Sequence, residues 1–125
     1  MAYNLYKNDQ LVAGISNDSK DKMKVVVRHI ENFSTEKGMT TKLLFMLLDM
    51  NVSIDTGKPN YNSISTTAYN MNKKIVEIIN NSKGKYKATI LGPANNKGKE
   101  NEEKYKDVAG KNTKSDNYHY RFQKI

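Results

Sequence analysis

The chain has 125 residues, with 21 basic and 13 acidic side chains, a net charge of +8 and no cysteine. This length allows one domain with a single core, and the lack of cysteine excludes a disulfide framework and a thiolate zinc site. No apolar run reaches the roughly 18 residues that span a bilayer, and the N-terminus lacks the layout of a signal peptide, so we expect a cytoplasmic protein with no membrane partner.

Two elements are predicted before residue 38. Residues 1–15 form short apolar runs on either side of Asn8-Asp9, a turn-forming pair, and predict an N-terminal β-hairpin. Residues 16–37 predict a helix that Asp18 or Ser19 could cap. The helical spacing is carried by Met23, Val26, Val27, Ile30 and Phe33. The run Val25–Val27 favours a strand locally, but the longer stripe outweighs it.

Two further helices follow. Thr40 or Thr41 opens the segment 43–50, which is apolar all round and predicts a buried central helix. Residues 55–62 have the composition of a turn. The third helix covers 63–81 and has apolar residues at intervals of four and three: Ile64, Ala68, Met71, Ile75 and Ile78.

The C-terminal part predicts two strands that pair across a long loop. Residues 85–91 alternate between apolar and polar side chains, and residues 117–124 do the same. The polar stretch 93–116 between them predicts a flexible loop. Alternation of Tyr118, Tyr120 and Phe122 indicates core positions, with a stacking platform for single-stranded nucleic acid as the alternative.

The excess positive charge is localised. Residues 1–55 hold seven basic and seven acidic groups, whereas residues 56–99 hold eight lysines against Glu77 alone. A basic segment of this kind points to a polyanionic partner such as nucleic acid. The competing interpretation is AT-rich codon usage, because the chain contains 19 lysines and 16 asparagines, but this does not explain the uneven distribution.

Three helices followed by a β-hairpin resemble the winged-helix DNA-binding domain. The expected fold is therefore α+β, a single domain over 1–125 with three helices, a C-terminal β-hairpin and an N-terminal β-hairpin. The resemblance implies that 63–81 is the recognition helix, that 85–91 and 117–124 are wing strands, and that 93–116 is the wing loop. Small lysine- and asparagine-rich proteins of this layout resemble regulators and accessory factors of plasmids, phages and conjugative elements. Transcription regulation, replication and conjugation are all possible uses.

Candidate DNA contacts fall into two groups. Threonine, asparagine and lysine side chains suit base edges, and the third helix presents Thr66, Thr67, Tyr69, Asn70, Lys73 and Lys74. Basic residues of the wing suit phosphate, and this group contains Lys83, Lys85, Lys87, Lys97, Lys99, Lys111, Lys114 and Arg121. The alternative for both groups is a solvated polar surface, and for the helix face also a protein interface.

Catalysis has little support in the sequence. His29 and His119 are the only histidines and lie far apart, and the sequence has neither a cysteine nucleophile nor a glycine-rich phosphate-binding loop. We therefore expect no enzyme activity, no cofactor and no metal. The expected function is site-specific binding of double-stranded DNA. The alternative is a protein-binding adaptor or inhibitor, and a homodimer through the N-terminal hairpin is possible.

Overall fold

The computed structural model describes residues 2–57, 66–93 and 118–125, and for residues 66–71, 93 and 118 it describes the backbone only. These residues form six strands and two helices. In chain order they are β1 (Ala2–Lys7), β2 (Gln10–Asn17), β3 (Lys24–Asn32), α1 (Met39–Asp49), β4 (Ser53–Asp55), α2 (Thr66–Asn80), β5 (Tyr86–Pro93) and β6 (Tyr118–Lys124).

The strands form one mixed sheet in the order β1-β2-β3-β4-β6-β5. Neighbouring strands are antiparallel except for β3 and β4, which are parallel. A parallel pair needs a crossover connection, and α1 provides it between these two strands. Strands β1 and β5 lie at the two edges.

The predicted N-terminal hairpin is present as β1 and β2. Its two-residue turn consists of Asn8 and Asp9, both with positive φ (51° and 64°), as a type I′ turn requires. Strand β2 continues to Asn17, beyond the predicted limit. It can do so because β3 pairs with its other side.

The helix predicted over 16–37 is wrong, since this segment contains strand β3. Val25 and Val26 are both buried, whereas Met23 and Phe33, two members of the predicted helical stripe, are each 51% exposed. The side chain of Asn17 accepts the backbone N–H of Val26 at 2.8 Å and donates to the carbonyl of Lys24 at 3.2 Å. β-branched residues between two neighbouring strands therefore prevail over the helical spacing.

Helix α1 confirms the predicted helix at 43–50 and begins earlier, after Gly38 in the left-handed conformation (φ 87°). It buries one face, which consists of Met39, Leu43, Leu44, Leu47 and Leu48. The expectation of burial all round is wrong, because Met46 is 44% exposed. The helix covers one side of the sheet, so its outer face meets solvent.

The three-helix, winged-helix layout is also wrong. The described residues contain two helices and a six-stranded sheet, and the sequence did not predict β4, which overlaps the predicted turn 55–62 only at Asp55. Ile54 of β4 is fully buried and pairs with Phe122. Helix α2 and the pairing of β5 with β6 agree with the sequence-based prediction. The two strands, however, belong to the six-stranded sheet and do not form a wing. Three predicted parts lie outside the described residues: 94–116 of the predicted loop 93–116, 58–62 of the predicted turn, and 63–65 of the predicted third helix.

The core lies between the helices and one face of the sheet. Ile75, Val76 and Ile79 of α2 join the buried face of α1 and alternate residues of the strands in one apolar cluster. Tyr120 and Phe122 are fully buried, with parallel rings 6.0 Å apart. The core interpretation of these two aromatic residues is confirmed, and they are not exposed for base stacking. The opposite face of β4 and β6 carries polar side chains.

Candidate nucleic-acid interface

Three of the predicted lysines meet where α2 ends and β5 begins. A pocket of about 680 Å³ at this place is lined by Lys74, Lys83 and Lys85, together with Glu77, Ile78, Asn81, Ser82 and Tyr86. The three lysines are exposed. We call Lys74, Lys83 and Lys85 the lysine junction. Its charge is opposed by one carboxylate in the pocket lining, that of Glu77.

A short turn places two of these lysines. After α2 the backbone reverses through Lys83 and Gly84, which have φ of 57° and 83°. The hydroxyl of Ser82 donates to the carbonyl of Ile79 at 2.7 Å and accepts the N–H of Tyr86 at 3.4 Å. Left-handed residues after a helix are a common way to end it. The turn is therefore fixed on both sides, and its lysines project from a defined position.

A second acidic group near the junction, Asp49, is engaged in a hydrogen bond. Asp49 of α1 accepts a hydrogen bond of 2.6 Å from the hydroxyl of Tyr86, and this bond raises the pKa of that tyrosine. Phe45 packs edge-on against the same ring, with 5.1 Å between ring centroids. A second hollow of about 450 Å³ continues the surface past Lys85 to Lys124 and Ile125. Lysine side chains thus line both hollows.

Structural reasons can also account for these lysines. Cations near a helix C-terminus interact favourably with its partial negative charge. Lysines on an edge strand discourage pairing with another chain. Lys83 follows the C-terminal end of α2, Lys85 directly precedes the edge strand β5, and Lys87 lies near its start. Neither reason explains why the side chains line a common concave surface.

The other predicted contacts are placed as follows. Lys73 is exposed on α2, and Lys87 is exposed on β5. Thr66, Thr67, Tyr69 and Asn70 lie in the first turns of α2, where only the backbone is described. Outside the described residues lie Lys97, Lys99, Lys111 and Lys114. The described candidates therefore lie on α2, β5 and the turn between them, except for Arg121.

Arg121 is held by a buried carboxylate. Its Nε donates to Asp55 Oδ1 at 2.8 Å and its Nη2 to Asp55 Oδ2 at 3.0 Å, which raises the pKa of the guanidinium. Lys24 Nζ lies 3.6 Å from the same carboxylate. The side chain of Asp55 is only 7% exposed, against 35% for Arg121. Two of the nitrogen atoms of Arg121 therefore serve the fold and are not open to phosphate.

Sequence reasoning missed this cluster because its members lie on three strands. Asp55 pairs with Val26 of β3 on one side and with Arg121 of β6 on the other. No local spacing connects residue 24 with 55 or 121. The available signal was an acidic residue directly after the apolar Ile54, in a segment that otherwise indicated a turn.

His119 is the second polar group that the sequence left unexplained. Its Nδ1 lies 3.2 Å from the hydroxyl of Thr56, while its buried Nε2 has no hydrogen-bond partner among the described residues. Burial lowers the pKa of the imidazole. A Cβ at position 57 would lie 2.9 Å from the ring, so Gly57 permits this close packing. The imidazole ring is therefore packed closely against Gly57 and shielded from solvent on this face of the sheet.

Comparisons with known proteins return no matching family model, curated protein or solved structure. Among the described residues, no group of three or more metal-ligating side chains is arranged to hold an ion. Neither helix of the described chain combines the length and the apolar composition needed to cross a membrane. The arguments for function therefore rest on the chain itself.

Proposed function

We propose that the protein binds double-stranded DNA and that the lysine junction contacts the phosphate backbone. The observation that carries this proposal is the meeting of Lys74, Lys83 and Lys85 at one concave surface whose lining contains a single carboxylate. These residues belong to the segment 56–99, which has eight lysines and one acid. A local positive charge of this kind attracts a polyanion and speeds its association.

Affinity for phosphate has a measurable signature. Each neutralised phosphate of duplex DNA contributes about −0.9 to the slope of log K against log salt concentration. Three contacts from the lysine junction therefore contribute about −2.7. Lys73 precedes Lys74 in the chain, Lys87 follows Lys85 by two residues, and both side chains are exposed. A phosphate contact to either lysine would make the slope steeper.

Sequence preference would come from the first turns of α2. Thr66, Tyr69, Asn70 and Lys73 are spaced three and four residues apart, which places them on one side of this helix. Asparagine can pair with adenine through two hydrogen bonds, and threonine can contact the methyl group of thymine. Replacing Asn70 by alanine is expected to weaken binding to the preferred site alone.

The experiment combines selection with salt titration. The protein is incubated with a random duplex library, and the bound DNA is recovered and sequenced. Affinity for a recovered duplex is then measured by fluorescence anisotropy over a range of salt concentrations. We expect the Lys74→Ala/Lys83→Ala/Lys85→Ala variant to bind more weakly and to lose about 2 to 3 from the magnitude of the slope.

The matched control removes three exposed lysines from the electrically neutral half of the chain, Lys20, Lys22 and Lys42. Its net charge equals that of the junction variant, so a loss of general attraction alone would affect both variants equally. A slope that falls only in the junction variant supports the proposal. Equal losses, or no recovery of DNA by the unmodified protein, contradict it and favour the protein-binding adaptor as the alternative function.

A further inference from the structure

The two edges of the sheet differ in how they resist pairing with another strand. Strand β5 carries Lys87 within it, Lys85 before it and Pro93 at its end. Charged residues and proline at an edge discourage the addition of a further strand. Strand β1, with the sequence AYNLYK, has neither charge nor proline from Ala2 to Tyr6. Its only charged residue, Lys7, forms an ion pair of 2.8 Å with Glu36.

The pairing of β1 with β2 has a β-bulge at Leu5 and Tyr6, and the edge beside it exposes apolar surface. Tyr6 of β1 is 60% exposed, and its cross-strand neighbour Leu11 is 39% exposed. Tyr3 and Leu5 face the core, so Asn4 and Tyr6 lie on the opposite face of the sheet. An aromatic ring therefore lies beside a row of backbone groups that no described strand pairs.

We propose that β1 pairs antiparallel with β1 of a second copy of this chain, about a two-fold axis at Asn4. Side chains directly opposite each other in a sheet must share a face. With the axis at Asn4, Ala2 of one copy lies opposite Tyr6 of the other, and Tyr3 lies opposite Leu5. In both pairs the two side chains lie on the same face of the sheet. The two sheets then form one continuous sheet of twelve described strands.

This register suits a second copy in particular, because the strand is complementary to itself. The two Asn4 amides meet at the axis and can hydrogen-bond to each other. Each exposed Tyr6 ring packs beside Ala2 of the other copy. Lys7 lies beyond the paired residues, so no like charges stand opposite each other. Pairing of β1 with β5 of another copy would instead give an open filament, and the lysines of β5 oppose it.

The test uses opposite charges at the axis. Asn4→Lys and Asn4→Asp each place two like charges directly opposite each other, which destabilises a strand pair. We expect the unmodified protein to reach twice its chain mass of 14.3 kDa in sedimentation equilibrium. Each variant alone is expected to dissociate about tenfold more readily or worse. An equimolar mixture of the two variants is expected to recover the dimer, since unlike charges then meet.

The same substitutions at Asn80, an exposed asparagine at the end of α2, provide the control. They are expected to leave the dimer unchanged. Circular dichroism on heating establishes that all variants are folded. A single chain mass for the unmodified protein at every concentration overturns the proposal. A dimer that withstands both Asn4 variants, or a mixture that fails to recover, overturns it as well. DNA is absent throughout, so the outcome is independent of the proposed function.

Discussion

Asp55 shows how much one buried charge can depend on its partners. It is the one buried side-chain carboxylate among the described residues, and it accepts two hydrogen bonds from Arg121. A buried ion pair adds little stability compared with apolar packing, but removal of one partner leaves the other charge without compensation. The pair joins β4 to β6, and we expect its disruption to cost more than its formation gains.

We expect Asp55→Asn to lower the free energy of unfolding by about 1 to 3 kcal/mol, because Arg121 loses the negative charge and one of its two acceptor oxygens but keeps partial access to water. Arg121→Leu is expected to cost more, since the carboxylate it leaves is almost entirely buried. Urea unfolding followed by circular dichroism measures both variants. Glu36→Gln is the control: it breaks an ion pair in which both side chains are about half exposed, and little change is expected. Equal effects of Asp55→Asn and Glu36→Gln would contradict the structural role of Asp55.

His119 makes stability depend on pH. Burial lowers its pKa in the folded state, so the unfolded chain binds a proton at a higher pH than the folded chain does. Stability from the neutral imidazole is present above the ordinary histidine pKa of about 6.5 and is lost as pH falls from there through the lowered pKa of the folded state. We expect the free energy of unfolding to decrease over that interval.

The measurement compares denaturant unfolding at several pH values for the unmodified protein, His119→Gln and His29→Gln. His119→Gln is expected to remove part of the pH dependence, because glutamine does not titrate. His29 is exposed on β3, and its replacement should keep the dependence. An unchanged slope in His119→Gln would show that other groups cause the loss of stability in acid.

At the scale of elements, α1 joins the two parallel strands and packs on most of the sheet. Leu44 and Leu48 are fully buried, whereas Met46 on the same helix is 44% exposed. We expect Leu44→Ala to lower the free energy of unfolding by about 2 to 5 kcal/mol, through lost burial and the cavity left behind. Met46→Ala should cost much less. Guanidinium unfolding measures both, and similar losses would contradict the one-sided packing of the helix.

Several elements could be predicted from local sequence patterns alone. Helices α1 and α2, the turn at Asn8–Asp9 and the pairing of β5 with β6 were predicted from spacing and turn chemistry. The segment containing β3 was not, because its apolar residues match helical spacing while its valines favour a strand. The strand conformation of this segment depends on β2 and β4, which pair with β3 on its two sides. Strand β4, with three residues, is too short to leave a period in the sequence.

At the scale of the whole molecule, the two ends of the sheet have different surfaces. The edge at β5 is basic and adjoins the lysine junction, and the edge at β1 is uncharged up to Tyr6. In the proposed dimer the uncharged edges meet, and the two basic edges lie at the far ends of the joined sheet. The proposals for DNA and for the second copy therefore use separate surfaces and can be tested separately.

The sequence by itself determined a basic segment and the local elements of this protein. These elements are an apolar helix, an amphipathic helix, and two C-terminal strands whose apolar and polar side chains alternate. These depend on composition and on residues within a few positions of each other. The tertiary structure decided the six-stranded sheet, the strand at β3, the ion pair of Asp55 with Arg121, and the grouping of Lys74 with Lys83 and Lys85. Those features need partners that lie far apart in the chain or beyond a chain reversal, and local spacing carries no information about which distant residues pair.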